Sequence, residues 1–167
     1  MDLRIAAMVV GLVGIGAAPA AAQFDAGIPV GTKAPLIAIN DLDGKPVGLG
    51  TYIGTKPVLI EFWATWCAVC KSLLPQLDLV KQKYGDGVTM IGVNITVNDS
   101  PDRVRRYLAL HKPPFLPLYD NLGAGTRAFD VPTTSYIVVI DAKGLVAYTG
   151  SGAEQDLVAA VAKALTR

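Results

Sequence analysis

Continuous apolar runs, separated by polar and glycine-rich turns, predict a series of buried strands. Val58–Phe62 is apolar at every position except Glu61, which is typical of a strand covered on both faces. Val88–Ile95 is mostly apolar and predicts a second buried strand. Shorter runs predict the remaining strands, some of them joined as hairpins by tight turns. These runs are Leu36–Asn40, Pro46–Leu49, Phe115–Tyr119, Tyr136–Ile140 and Leu145–Thr149.

Apolar residues also recur at helical spacing between these runs. Ser100 and Pro101 predict the start of one helix, because serine suits the cap and proline the first helical position. Ser151 and Glu154 form a capping-box pattern before a last helix. Helices between buried strands, then a hairpin and a closing helix, predict an α/β sandwich with a mixed central sheet. The stripe after Cys67 predicts a further helix, whose inner face holds Cys70, Leu73, Leu74, Leu77, Val80 and Tyr84.

Length and composition are those of a single globular domain. The chain has 167 residues, is 51% hydrophobic and carries a net charge of +1. Positive and negative charges are nearly balanced, so the composition gives no indication of a nucleic acid or an acidic partner. Residues 23–35 are rich in glycine and proline and predict a loose N-terminal arm, and residues 36–166 form the predicted domain.

The N-terminal residues have the pattern of a secretory signal. Arg4 precedes a run without charged residues from Ile5 to Ala22, which ends in Ala-Pro-Ala-Ala-Ala. We expect residues 1–22 to be a signal peptide cleaved after Ala22, and the alternative is an uncleaved membrane anchor. Either form places the domain outside the cytoplasm. A bacterial-type signal means the periplasm or the cell exterior, where disulfides persist.

The two cysteines of the chain, Cys67 and Cys70, stand three positions apart at the predicted start of a helix. Such a pair can close a small disulfide and open it again, which indicates redox chemistry. A helix N-terminus favours the thiolate, so we expect Cys67 to attack a partner's disulfide. Cys70, one turn further in, would then resolve the mixed disulfide. The intervening Ala68-Val69 offers no cation and no hydrogen-bonding side chain, which favours a reducing couple.

Other uses of two cysteines fit the chain less well. A closed zinc site needs four ligands, whereas the chain has two cysteines and one histidine. Covalent haem needs a histidine directly after the second cysteine, where Lys71 stands. A purely structural disulfide stays open as an alternative, although so small a ring would stabilise the fold only weakly. We therefore predict no resident metal or cofactor.

The string Phe62–Lys71, which reads Phe-Trp-Ala-Thr-Trp-Cys-Ala-Val-Cys-Lys, resembles the thioredoxin superfamily, and Pro75 stands five residues after the second cysteine. The secretory signal, the hairpin turn at 41–44 and the inserted helix near 101–112 are similar to the TlpA/ResA branch of extracytoplasmic thiol:disulfide oxidoreductases. The resemblance covers roughly residues 30–166. It implies a thioredoxin-like three-layer sandwich with a mixed central sheet, an N-terminal hairpin and an inserted helix.

Glu61 is the candidate proton carrier of the site. In the resembled family, a carboxylate at this position lies beneath the active site and exchanges a proton with the resolving cysteine. Burial would raise the pKa of Glu61 towards that role, and an unpaired buried carboxylate is costly without a function. The alternative is a residue at the strand end whose side chain faces solvent. Many members also carry a glutamate three residues after the second cysteine, where this chain has Leu73.

The resemblance also implies a loop that faces the cysteines and contains a cis-proline, whose preceding residue pairs with the substrate's backbone. Val131-Pro132 matches this motif by eye, but it lies farther from the following hairpin glycine than the family spacing. Ser135 stands at that spacing, so Thr134-Ser135 is the favoured counterpart, with a trans peptide bond. These four residues are candidates for substrate binding, together with Trp66, which is expected to pack beside the attacking cysteine.

The favoured function is an exported enzyme that reduces disulfides of extracytoplasmic proteins and takes electrons from a membrane donor. One alternative is a disulfide oxidase or isomerase. Another is a Cu(I) chaperone that binds the metal through the same two thiols, with His111 as a possible third ligand. His111 stands on the apolar stripe of the inserted helix, where packing or exposure is the more typical role. No nucleic-acid partner is expected.

Overall fold

The predicted strands form one seven-stranded mixed sheet. A computed structural model describes residues 27–167, and the predicted signal peptide lies outside the described residues. The strands are β1 (Ala38–Asn40), β2 (Pro46–Gly48), β3 (Val58–Trp63), β4 (Thr89–Asn94), β5 (Leu116–Tyr119), β6 (Tyr136–Ile140) and β7 (Val146–Gly150). Their order across the sheet is β2-β1-β5-β4-β3-β6-β7. Only the β3–β4 and β4–β5 pairings of this sheet are parallel.

Helices on both faces of the sheet complete a three-layer sandwich. They are α1 (Ala68–Tyr84), α2 (Pro101–His111), α3 (Ala124–Ala128) and α4 (Leu157–Leu165). α1 and α4 pack on one face, and α2 packs on the same side over the end of β3. The opposite face is covered by α3, by the short 3₁₀ turn Leu49–Thr51 and by the segment before β1. No helix within residues 27–167 is long and apolar enough to cross a membrane.

β3 is the central strand, and it leads directly into the two cysteines. It pairs in parallel with β4 and antiparallel with β6, and all six of its residues are buried. Side chains alternate between the two faces of a strand. Leu59, Glu61 and Trp63 therefore point towards α1 and α2, and the other three point towards the α3 layer. The prediction of a strand covered on both faces is confirmed.

The last helix begins later than the capping-box pattern at Ser151 and Glu154 predicts, so that prediction is wrong. Asp156 caps α4, and its carboxylate accepts a hydrogen bond of 2.8 Å from the backbone N–H of Ala159. Gln155 explains the late start. Its side chain is buried and donates to two backbone carbonyls, which keeps the preceding residues in a loop.

The predicted N-terminal arm is not loose over the part that the structure describes. Within residues 27–35, Ile28 and Ala34 are buried in the core. The backbone N–H of Gly31 donates to the carbonyl of Val146 in β7 at 2.8 Å. This segment therefore packs as a component of the domain, because its apolar residues belong to the same buried cluster as residues of β3, β6 and β7.

Candidate active site

The two cysteines lie at the connection between the end of β3 and the start of α1. The backbone N–H of Cys67 donates to the carbonyl of Ala64 at 3.1 Å, which forms a tight turn between strand and helix. Cys67 is the N-cap of α1 and is joined to Cys70 by a disulfide. The backbone N–H of Cys70 donates to the Cys67 sulfur at 3.0 Å. In the reduced protein, this N–H and the helix terminus would stabilise a thiolate on Cys67.

Exposed apolar side chains surround the cysteines, which are themselves nearly buried at 4% and 2% exposure. The ring of Trp66 is 46% exposed, and its indole N–H donates to the backbone carbonyl of Val97 at 2.6 Å. Val69 on the first turn of α1 and Val97 itself are also exposed. We call Trp66, Val69 and Val97 the apolar rim. Its position suits contact with a partner that approaches the disulfide.

A partly buried carboxylate anchors the turn before the cysteines. Asp99 accepts hydrogen bonds from the backbone N–H of Thr65 at 2.8 Å, from the Thr65 hydroxyl and from the side-chain amide of Asn94 at 2.9 Å. Because β3 and β4 are parallel, their carboxyl ends meet at the same edge of the sheet. Asp99, which follows β4, therefore fixes the residues that follow β3.

Glu61 is buried in the strand that leads to the cysteines. Its side chain is on the α1 side of the sheet, and the residue is 1% exposed. Its Oε1 has no hydrogen-bond partner within residues 27–167. Burial raises the pKa of Glu61 to about 8, so the carboxyl group is mostly protonated at neutral pH. The alternative of a solvent-facing residue at the strand end is contradicted by this burial.

Aromatic rings enclose the Glu61 carboxyl group. Gly92 is its register partner on β4, and the ring of Phe115 covers this glycine so closely that an added Cβ would lie 2.3 Å from a ring carbon. Burial, and then the charge of Glu61, raise the pKa of the Tyr107 hydroxyl, which places Tyr107 in the same environment. Trp63 packs 5.0 Å from the Tyr107 ring and shares a buried cluster with both cysteines. These rings help to keep Glu61 buried.

The loop before β6 approaches the same edge of the sheet through its second half. Tyr136 is the register partner of Phe62 in the antiparallel pairing of β3 and β6. The preceding residue, Ser135, therefore lies opposite the end of β3. Ser135 is buried with a φ of 60°, and its carbonyl accepts a hydrogen bond of 3.2 Å from the buried Gln155 amide. Val131 instead packs on the α3 side, away from the cysteines. No peptide bond within residues 27–167 is cis, that before Pro132 included.

Comparison with known proteins places the chain in a family. A family model described as Redoxin matches residues 29–165. The chain belongs to the Redoxin family. The thioredoxin-like protein YneN of Bacillus subtilis is 30% identical over 142 residues, which cover 83% of this chain and 81% of the relative. The thiol-disulfide oxidoreductase ResA of Bacillus thuringiensis is 27% identical over 131 residues, or 77% of this chain and 74% of the relative.

A solved structure extends this comparison to the fold. The crystal structure of a putative thiol:disulfide interchange protein DsbE from Chlorobium tepidum matches with a TM-score of 0.67 and 27% identity, over 80% of this chain and 99% of the other. The predicted thioredoxin superfamily and three-layer fold are therefore confirmed. With its Cys67–Cys70 pair, this redoxin is a thiol:disulfide oxidoreductase of the DsbE/ResA type.

The structure of the redoxin also shows what the sequence patterns did not reveal. The pairing of Asp99 with Thr65 joins residues 34 positions apart, and the only hint in the sequence is a polar residue after each of two parallel strands. His111 stacks on the Tyr107 ring at 4.3 Å. Among residues 27–167, no three histidine, cysteine or acidic side chains come together in a way that could hold a metal ion. His111 is therefore not placed as a third ligand beside the cysteines.

Proposed function

We propose that this redoxin is exported and reduces disulfides of extracytoplasmic proteins through Cys67 and Cys70. The observation that carries the proposal is the Cys67 sulfur at the start of α1, which accepts a hydrogen bond from the N–H of Cys70. A sulfur so placed is the better thiolate and the more accessible nucleophile of the pair. The signal-like residues 1–22 support export.

The reaction would proceed in two exchange steps. The Cys67 thiolate attacks one sulfur of the partner's disulfide, and the partner's other sulfur leaves as a thiolate. Cys70, once deprotonated, attacks the Cys67 sulfur, closes the internal disulfide and releases the second partner thiol. Two electrons pass from the redoxin to its partner. A membrane protein with a dithiol would have to reduce the Cys67–Cys70 disulfide again.

Glu61 would take the proton of Cys70 in the second step. The carboxyl group is buried on the side of the sheet where the cysteines lie, and its pKa of about 8 suits proton exchange near neutral pH. In the disulfide form the acid is expected to hold the proton, which is the state that follows its transfer. Leu73, at the position where many relatives carry a second acid, is fully buried in apolar surroundings. Glu61 would therefore act without a second carboxylate from that position.

The partner's backbone would pair with the loop at Thr134 rather than at Val131-Pro132. Ser135 lies opposite the end of β3, whereas Val131 packs on the α3 side of the sheet. The Ser135 carbonyl already accepts a hydrogen bond from the protein. Thr134 directly precedes it and is only partly buried, which leaves its backbone closest to a substrate strand.

The reduction potential of the Cys67–Cys70 couple tests the direction of the reaction. Equilibration of the full chain in thiol–disulfide buffers is expected to give a value near −270 mV, as for reducing thioredoxin-like proteins. A value of about −120 mV would instead assign the protein to the disulfide oxidases. The apolar residues Ala68 and Val69 between the cysteines support the reducing value, since neither stabilises a thiolate.

Trapping experiments test the assignment of the two cysteines. The Cys70→Ser variant is expected to accumulate mixed disulfides with partner proteins, because the resolving thiol is missing. The Cys67→Ser variant serves as the matched control and should trap none. If the two variants behave in the opposite way, the roles of attacking and resolving cysteine are reversed.

A separate measurement tests export. In the exported protein, mass spectrometry should find an N-terminal peptide that starts at Gln23.

A further inference from the structure

A groove of about 420 Å³ lies beside the apolar rim, between the start of α1 and the outer side of α2. Its charged lining is entirely basic: Lys71 from α1, with Arg103 and Arg106 from α2. His111 adds an imidazole at the end of the same helix. We call these four residues and the space between them the basic groove. No aspartate or glutamate from residues 27–167 lines it.

The cations of the basic groove have no carboxylate partners within the described residues 27–167. None of the ion pairs there involves Lys71, Arg103 or Arg106. Arg105 on the same helix behaves differently. It pairs with Asp43 at 2.8 Å and with the aspartate three residues earlier in α2 at 3.0 Å. The charge of α2 is therefore neutralised on one side and left open on the side of the groove.

The groove residues are held in place by contacts that leave their charges available. Arg103 donates to the backbone carbonyl of Asn98 at 3.0 Å, and the Lys71 ammonium lies 5.9 Å from the centre of the Tyr107 ring. Leu110 adds an apolar side chain that is 77% exposed. A ligand for this surface needs both negative charge and apolar side chains.

Trp66 joins the basic groove to the disulfide. It lines the groove, belongs to the apolar rim and directly precedes Cys67 in the chain. A peptide whose sulfur is bonded to the Cys67 sulfur therefore has a continuous path across the indole into the groove. The residues that reach the basic side chains are those that flank the peptide's own cysteine.

We propose that the basic groove binds a segment of the partner protein that carries acidic and apolar residues next to its reacting cysteine. The proposal rests on the thiol exchange at Cys67 described above and adds the chemistry of the partner. Unpaired cations at the rim of an interface act mainly on the rate of association, and this effect decreases with salt. We therefore expect acidic partners to react faster at low ionic strength.

Model peptides test this preference. Each peptide has one cysteine as a mixed disulfide with 2-nitro-5-thiobenzoate, one leucine, and either two aspartates, two serines or two lysines beside the cysteine. The reduced full chain attacks the peptide sulfur and releases the coloured thiolate; Cys70 then displaces the peptide thiol and closes the internal disulfide. We expect the acidic peptide to react about tenfold faster than the basic one at low salt. High salt should bring the rates together.

Two variants compare paired and unpaired arginines of one helix. Replacement of both Arg103 and Arg106 by glutamine is expected to reduce the acidic-to-basic rate ratio to nearly one. The single Arg106→Gln variant should halve the ratio or lower it further, and it leaves the Arg103–Asn98 contact intact. Arg105→Gln is the matched control, because it removes the same charge outside the groove; its ratio should stay at the wild-type value.

The outcomes separate the two proposals. The wild-type protein is also tested with 2-hydroxyethyl disulfide, which is neutral and has no peptide segment. If neither this compound nor any peptide reacts, the proposed function fails and the groove proposal fails with it. If exchange occurs but the three peptides react at equal rates, only the groove proposal is overturned. Equal rates combined with Arg103- and Arg106-dependent binding to phosphatidylglycerol vesicles would assign the groove to a lipid surface, which also overturns it.

Discussion

Glu61 and Asp120 are two of the buried acids of this redoxin, and their surroundings differ. Asp120, which follows β5, is 2% exposed and accepts three hydrogen bonds: from the backbone N–H of Gly125 at 3.0 Å, and from the backbone and hydroxyl of Thr126 at 2.7 Å each. Glu61 is 1% exposed, and its Oε1 has no partner among the described residues. The two acids are therefore almost equally buried. Both oxygens of Asp120 accept hydrogen bonds, whereas Oε1 of Glu61 accepts none among the described residues.

The difference distinguishes a structural acid from one that is available for chemistry. The donors around Asp120 satisfy both of its carboxylate oxygens and tie the start of α3 to the end of β5. Around Glu61 only burial acts, so the neutral form is favoured and the pKa rises to about 8. An acid that titrates near neutral pH and lies on the side of the sheet that carries the cysteines suits the transfer of the Cys70 thiol proton proposed above.

The largest expected effect is on the pH dependence of stability. Between pH 4.5 and about 8, the unfolded chain releases the Glu61 proton while the folded protein keeps it, so the free energy of unfolding falls as pH rises. The Glu61→Gln variant lacks this titration. Its stability relative to the wild type should therefore increase across this window by at most about 5 kcal/mol. Urea unfolding of both oxidised proteins from pH 5 to pH 9 measures the difference. A constant difference would show that Glu61 ionises normally.

Removal of the structural acid should mainly affect stability. Asp120→Ala leaves the N–H groups of Gly125 and Thr126 without their acceptor, and we expect a loss of about 3 kcal/mol in the free energy of unfolding. Asp120→Asn keeps one acceptor oxygen and should lose less. Thermal or urea unfolding at one pH measures both variants. If Asp120→Ala is as stable as the wild type, the contrast between the two acids is not a contrast in hydrogen bonding.

The smallest of the three effects concerns the rate of the second exchange step. Glu61→Gln should slow the attack of Cys70 on the mixed disulfide about 100-fold, because the amide cannot accept its proton. A mixed disulfide formed on Cys67 with a fluorescent peptide gives this rate from its decay at pH 7. Asp120→Asn is the matched control, since it makes the same acid-to-amide change at a buried site outside the proposed chemistry. Equal decay in both variants would remove Glu61 from the reaction.

Local sequence patterns predicted the elements that carry the cysteines. The apolar run before Glu61, the helical stripe after Cys67 and the Ser100-Pro101 cap are each encoded within a few residues, and the structure contains all three. The capping-box pattern at Ser151 failed because a distant contact outweighed it. Gln155 is held by the carbonyl of Ser135, 20 residues away, and no local pattern reports that bond.

The composition of the chain did not predict the basic groove either. The net charge of +1 averages over the whole chain and predicts no acidic partner. The structure separates the arginines of α2, since Arg105 finds Asp43 from the hairpin 62 positions earlier, and Arg103 and Arg106 find no carboxylate in residues 27–167. Charge neutrality of a chain is thus compatible with an open basic surface next to its reactive sulfur.

The sequence by itself determined the redox pair, the strand before it, the helix that Cys67 caps and the family to which the chain belongs. These features depend on the spacing of neighbouring residues, which the chain carries wherever it folds. Only the tertiary structure decided the state of Glu61, the anchoring of Thr65 by Asp99 and the exposure of the basic groove. Each of these depends on which groups from distant segments surround an atom, because burial and hydrogen bonding are properties of the packed protein.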